Sequence, residues 1–68
     1  MAKTIKNNIS RLRFDNDEMT QQALAEQVEV TRQTIAAIEK GKYSPSLEVA
    51  FKIADAFNQP LNEVFSYE

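Results

Sequence analysis

Apolar residues recur along this chain at helical rather than strand spacing, and polar punctuation divides them into five short segments. Ile5, Ile9 and Leu12 fall at i, i+4 and i+7, which predicts a first helix over residues 5–16, with Phe14 just off its stripe. The run Asp15–Glu18 breaks that pattern and predicts a turn, because Asp and Asn side chains bond their own backbone. Met19 reads as a core plug before Thr20, whose hydroxyl can cap a second helix. Ala23, Leu24 and Val28 share the buried face of that helix. Thr31 offers the next cap, and Ile35 and Ile38 continue the stripe until Gly41, which tolerates φ > 0 and ends the third helix. After the loop 42–45, Ser46 predicts the cap of a fourth helix, Leu47 to about Asn58, that buries Leu47, Ala50, Ile53, Ala54 and Phe57. Pro60 should stop it. A last short helix, about Leu61 to Phe65, adds Leu61, Val64 and Phe65 to the core.

The second and third helices are separated only by Glu29 and Val30. So short a connection forces a steep crossing, as in helix-turn-helix units. Leu24, Val28, Val30, Ile35 and Ile38 then point inward, and Ala25 is small enough for the third helix to approach closely. A two-residue turn at this place predicts a left-handed backbone at Glu29. The outer face of the third helix carries Arg32, Gln33, Thr34, Ala37 and Lys40. Gln33 has the paired donor and acceptor, and Thr34 the hydroxyl or methyl, that read base edges. Ala37 suits a thymine methyl, and Arg32 a guanine or a phosphate. Gln21 and Gln22 open the second helix, where free N–H groups and the positive dipole end suit a phosphate. Singly, each of these residues is usually a solvated surface group. Taken with the two-helix spacing, they point to double-stranded DNA.

Composition narrows the function classes. A chain of 68 residues has room for one domain, residues 1–68, and one small core, marginally stable unless it oligomerises. Without Cys or His it lacks disulfides and the commonest metal ligands. It has no Gly-rich phosphate loop and no carboxylate pair in an apolar setting, so neither catalysis nor a metal, cofactor or small-molecule ligand is expected. Asp15, Asp17 and Glu18 resemble part of a calcium loop but lack its glycine and its final Glu. No apolar run suits a signal peptide or a membrane span, so the expected location is cytoplasmic. The net charge of −2 at first argues against nucleic acid. Its distribution is more telling. Lys3, Lys6, Arg11 and Arg13 stand in residues 1–14 with no acid, and Arg32, Lys40 and Lys42 outnumber Glu39 in residues 31–43. The acids collect in residues 15–29 and 44–68. The acidic total supports one competing reading, a protein-interaction module that keeps the fold but not DNA binding.

The block from Met19 through Ser46, with TRQTI and IEKGKYSPS, followed by LEVAFKIA, resembles the Cro/C1-type (Xre) helix-turn-helix family. The resemblance covers about residues 5–66 and is closest to the short single-domain members. It implies an all-α, five-helix, lambda-repressor-like DNA-binding domain that regulates transcription, most simply a repressor dimeric on a palindromic operator. It implies Gln21 on a phosphate, Arg32, Gln33, Thr34 and Ala37 toward base edges, and Lys40, Lys42 and Tyr43 on the DNA backbone. It also implies an ion pair between Arg13 and Glu39. Short members often tie their termini together as a strand pair, which residues 3–5 and 65–67 could form here, Ile5, Phe65 and Tyr67 being suited to strands. An antitoxin or phage-type immunity protein of the same fold is the related alternative. A homodimer is expected through Phe51, Pro60 and Leu61. The chain departs from the family in placing Glu29 where Gly is usual and in a turn before the second helix that is one residue longer.

Overall fold

A core drawn from every helix holds the molecule together. Ile9, Leu24, Ala25, Val28, Ile35, Ile38, Ile53, Ala54, Phe57 and Val64 form one buried cluster. The computed structural model describes residues 2–68. Its elements run β1 (Ile5–Asn7), α1 (Ile9–Asp15), α2 (Gln21–Val28), α3 (Arg32–Glu39), α4 (Leu47–Ala56), α5 (Leu61–Val64) and β2 (Phe65–Tyr67). The two strands pair antiparallel, with Ile5 opposite Tyr67, Lys6 opposite Ser66 and Asn7 opposite Phe65. Reciprocal backbone bonds between Thr4 and Glu68, 2.7 and 3.0 Å, extend the ladder by one pair.

Hydroxyl caps start the middle helices as the sequence predicts. Thr20 accepts from the Ala23 N–H at 3.0 Å, Thr31 from Thr34 at 3.1 Å and Ser46 from Val49 at 3.2 Å. Each cap contributes about 1 kcal/mol. The same three helices end alike. Glu29 (φ 64°), Gly41 (φ 76°) and Asn58 (φ 54°) take the left-handed conformation. In each case the next N–H returns to a carbonyl in the last turn: Val30 to Ala25, Lys42 to Ala37 and Gln59 to Ala54, all at 3.0 Å. This closure satisfies carbonyls that a helix end otherwise leaves open.

Four expectations are corrected. The first helix starts at Ile9, not residue 5. Asn7 and Asn8 are poor helix formers that bond backbone in other conformations, and the Asn7 carboxamide oxygen accepts from the Ile9 N–H at 3.1 Å. Ile5 therefore belongs to a strand, and the paired segment is 5–7 rather than 3–5. Leu47 is not buried: it is 68% exposed. It stands in the first turn of α4, beyond the reach of the α2–α3 pair, and lines an open groove with Ile5, Pro45 and Tyr67. The last helix ends at Val64, because Phe65 already has extended backbone and enters β2. Phe14, off the stripe of α1, is 68% exposed.

The Lys52 ammonium on α4 donates to the Glu29 carboxylate at 3.1 Å and lies 3.5 Å from Glu48. The hydrogen bond and charge of Glu29 hold the Lys52 pKa above its usual value, with Glu48 adding to them. Both partners of the bond between Lys52 and Glu29 are exposed, so water and salt screen it and it holds α4 to the α2–α3 turn only weakly. A non-Gly residue in the left-handed region costs about 1–2 kcal/mol. Glu29→Gly is therefore expected to stabilise the fold by up to about 1 kcal/mol, removal of the exposed ion pair offsetting only part of the relief. Urea unfolding checks this, and a lowered midpoint would refute it.

Candidate nucleic-acid interface

The α2–α3 unit presents one side chain set inward and another outward. Ala25 is fully buried, so α3 crosses close to α2, and Ile35 and Ile38 lock its inner face into the core. The helical repeat then turns Arg32, Gln33, Ala36, Ala37 and Lys40 outward. With Lys42 from the loop beyond, these residues line one shallow groove whose walls include no carboxylate. Five of the residues singled out in the sequence thus meet on one surface. Thr34 does not line it: its hydroxyl lies 2.9 Å from that of Thr31, inside the capping arrangement of α3. Tyr43, the next residue of the same loop, is exposed and lines an adjoining cleft.

Glu39, the only acid of residues 31–43, is withdrawn from this surface. Arg13 of α1 donates to it through Nε at 2.7 Å and Nη2 at 3.1 Å, a two-pronged ion pair. Two further bonds join the cluster: Arg13 Nη1 donates to the Met19 carbonyl at 2.9 Å, and the Gln21 amide donates to Glu39 at 3.2 Å. Both charged side chains are largely buried, 18% and 11% exposed. One cluster therefore joins α1, the turn before α2, the first residue of α2 and the last residue of α3. The Gln21 side chain is held by that cluster, and the Gln22 amide bonds Glu26 at 3.0 Å. What the start of α2 leaves open is backbone, since the first N–H groups of a helix have no partner within it.

Phe51 and Pro60 are exposed and border a shallow groove with Leu61. Leu61 also lines the apolar groove that contains Leu47, Ile5, Phe65 and Tyr67. Sequence reasoning missed the exposure of Leu47. It also missed Asn7, whose amide donates to the Ile38 carbonyl at 3.0 Å and so ties the terminal sheet to the end of α3. The Asn–Asn pair before Ile9 was the available signal for the capping part of that role. Among the described residues no helix is long and apolar enough to cross a membrane.

A family model described as helix-turn-helix matches residues 15–64. The chain belongs to the Xre-type helix-turn-helix family. It is 48% identical over 64 residues to YgzD of Bacillus subtilis, an uncharacterized HTH-type transcriptional regulator, covering 94% of this chain and 96% of that one. It is 56% identical over 50 residues to an uncharacterized HTH-type transcriptional regulator of Methanocaldococcus jannaschii, covering 74% of this chain and 76% of the relative. In three dimensions it resembles a proposed DNA-binding protein from Bacteroides fragilis, with a TM-score of 0.78 and 25% identity, covering 93% of this chain and all of the other. As an Xre-type chain, it keeps a left-handed turn between its two central helices with Glu29 in that place.

Removing one partner of a buried ion pair leaves the other charge uncompensated, at a cost of about 3–5 kcal/mol. Arg13→Met and Glu39→Met are each expected to destabilise by about 3 kcal/mol. The double variant should recover a large part of that loss, since an apolar pair can replace the ionic one. Urea unfolding of the four proteins tests this, and additive single losses would show that the pair is not coupled.

Proposed function

We propose that this Xre-type chain is a DNA-binding transcriptional repressor that occupies a palindromic operator as a homodimer in the cytoplasm. The observation that carries the reading is the groove along α3, lined by Arg32, Gln33, Ala37, Lys40 and Lys42 with no carboxylate in a chain of net charge −2. α3 enters the major groove. Arg32 and Gln33 read base edges, and Ala37 touches a thymine methyl. Thr34, its hydroxyl engaged by Thr31, contributes through its methyl. Lys40, Lys42 and Tyr43 hold the DNA backbone, and the backbone N–H groups of Gln21 and Gln22 meet a phosphate at the positive end of α2. Repression follows from occupancy of the promoter and needs no chemistry.

The second subunit sits on the apolar face of α4 and α5. Leu47 and Phe51 are one helical turn apart on α4, and both are more than half exposed. Pro60 and Leu61 adjoin them. A contiguous apolar face of this kind marks an association site. A two-fold pairing across it places the recognition helices on one side of the duplex, about 34–36 Å apart, one helical turn.

Gln33→Ala is expected to weaken the selected operator, where a bidentate base contact carries about 1–3 kcal/mol of discrimination in each half-site, and to leave random duplex almost unchanged. Lys40→Gln and Lys42→Gln should weaken both duplexes alike and flatten the salt dependence by about 0.9 in log–log slope for each phosphate no longer neutralised. Selection of bound sites from random DNA, followed by salt titrations of both duplexes, makes the measurement. An equal drop in affinity on both duplexes for Gln33→Ala would mean that α3 does not read sequence. Absence of any shift on duplex at low salt would favour a protein-interaction module instead.

Sedimentation at micromolar concentration should show a dimer for the natural chain and a folded monomer for Leu47→Lys, whose side chain lies outside the core. A monomeric natural chain, free and on DNA, would refute the dimer.

A further inference from the structure

The terminal sheet lies against the loop that leaves the recognition helix, and one of its faces is chemically unlike the other. Side chains alternate along a strand, so Ile5 and Asn7 of β1 share the face toward the loop, where Lys3 also lies, while Lys6 points away. On that face the Asn7 amide donates to the Ile38 carbonyl at 3.0 Å, which ties the strand to the recognition helix. The Lys3 ammonium stands 5.5 Å from the centre of the Tyr67 ring, on the same face. Between this face and the loop lies a cleft of about 370 Å³, lined by Lys3 together with Gly41, Tyr43 and Ser44. No carboxylate lines it. Lys42 lines the groove of α3 and Tyr43 lines the cleft, so the two surfaces meet at consecutive residues. On the outward face the surroundings are different: Lys6 is opposite Ser66, whose hydroxyl donates to the Glu68 carboxylate at 2.8 Å.

We propose that this cleft is a further DNA-backbone site, in which the Lys3 ammonium and the hydroxyls of Tyr43 and Ser44 take a phosphodiester flanking the bases that face α3. The charge argument is one of complementarity. A chain with an acidic total can attract a polyanion only where its cations stand clear of its acids, and the cleft meets that condition next to a surface that already does. An ammonium is a compact point charge with three donors, suited to a phosphate oxygen at any sequence. The site therefore adds affinity and salt dependence without adding sequence choice. It also gives the strand pair a part in binding, through a residue far from the helix-turn-helix unit in sequence. The inference rests on the reading of α3 as a DNA-binding helix.

The test compares Lys3→Gln with Lys6→Gln in the full chain. The two substitutions remove the same charge from the same strand on opposite faces. Binding to the selected operator and to random duplex is titrated with salt, and melting of each variant is followed separately. Lys3→Gln should weaken both duplexes by the same factor and lower the log–log slope by about 0.9 for each bound protomer. Lys3→Arg should keep the slope, and Lys6→Gln should leave it unchanged. Equal effects of Lys3→Gln and Lys6→Gln, or an unchanged slope in Lys3→Gln, would overturn the site while leaving α3 in its role. A natural chain that binds no duplex would overturn both readings at once.

Discussion

The ion pair between Arg13 and Glu39 is the contact on which the placement of α3 depends. α3 has only eight residues, too few to be stable alone in water. Its inner face is held by dispersion and the hydrophobic effect, which resist separation but allow sliding. The two-pronged bond at 2.7 and 3.1 Å adds direction, because a planar guanidinium and a planar carboxylate match in few orientations. Arg13 also holds the Met19 carbonyl, and Glu39 also holds the Gln21 amide, so every part of the unit is positioned from one point. Such a pair offsets the cost of its burial only with help from further hydrogen bonds, and here Met19 and Gln21 each supply one.

The same pair shapes the electrostatics of the outer surface. Glu39 is turned inward onto Arg13 and Gln21, so the face of α3 carries cations without a competing acid although the chain as a whole is acidic. Acids elsewhere lie at the end of α1 and in the turn before α2, on α2 and its cap Glu29, and in the C-terminal part of the chain. The acidic total and a cationic groove are thus compatible, since screening confines each charge to about 8–10 Å at ordinary ionic strength. Net charge limits solubility and non-specific association. The local arrangement decides the partner.

Strain and closure coexist at the turn between α2 and α3. Glu29 occupies a left-handed backbone that Gly would occupy freely, and its N–H and that of Val30 nevertheless close on the last turn of α2. The steep crossing requires this backbone, and burial of Ala25, Val28 and Ile35 on either side supplies the free energy that holds it. Gly41 performs the same closure without strain at the end of α3. The terminal sheet is anchored more simply, by its own ladder and by the side chain of Asn7.

Helix spacing, hydroxyl caps, the short α2–α3 connection and the left-handed Glu29 were legible in the sequence, because each depends on residues within a few positions of one another. The outward set on α3 was legible for the same reason, since a helical repeat fixes which residues lie opposite Ile35 and Ile38. The pairing of Arg13 with Glu39 was implied only by family resemblance, and the bonds from Met19 and Gln21 that complete it appear only in three dimensions. The start of α1 and the exposure of Leu47 were misjudged from periodicity. Periodicity records which residues could share a face, not whether another element arrives to cover it. Ile5 left the helix because a strand from the far end of the chain, Phe65–Tyr67, offered it a ladder. Leu47 stayed exposed because no described element packs over the first turn of α4. Sequence alone therefore determined the helices and the face that α3 turns outward. The tertiary structure decided which apolar residues are covered, which amides remain free, and that Lys3, Asn7 and Tyr43 stand together, because these depend on contacts between residues tens of positions apart.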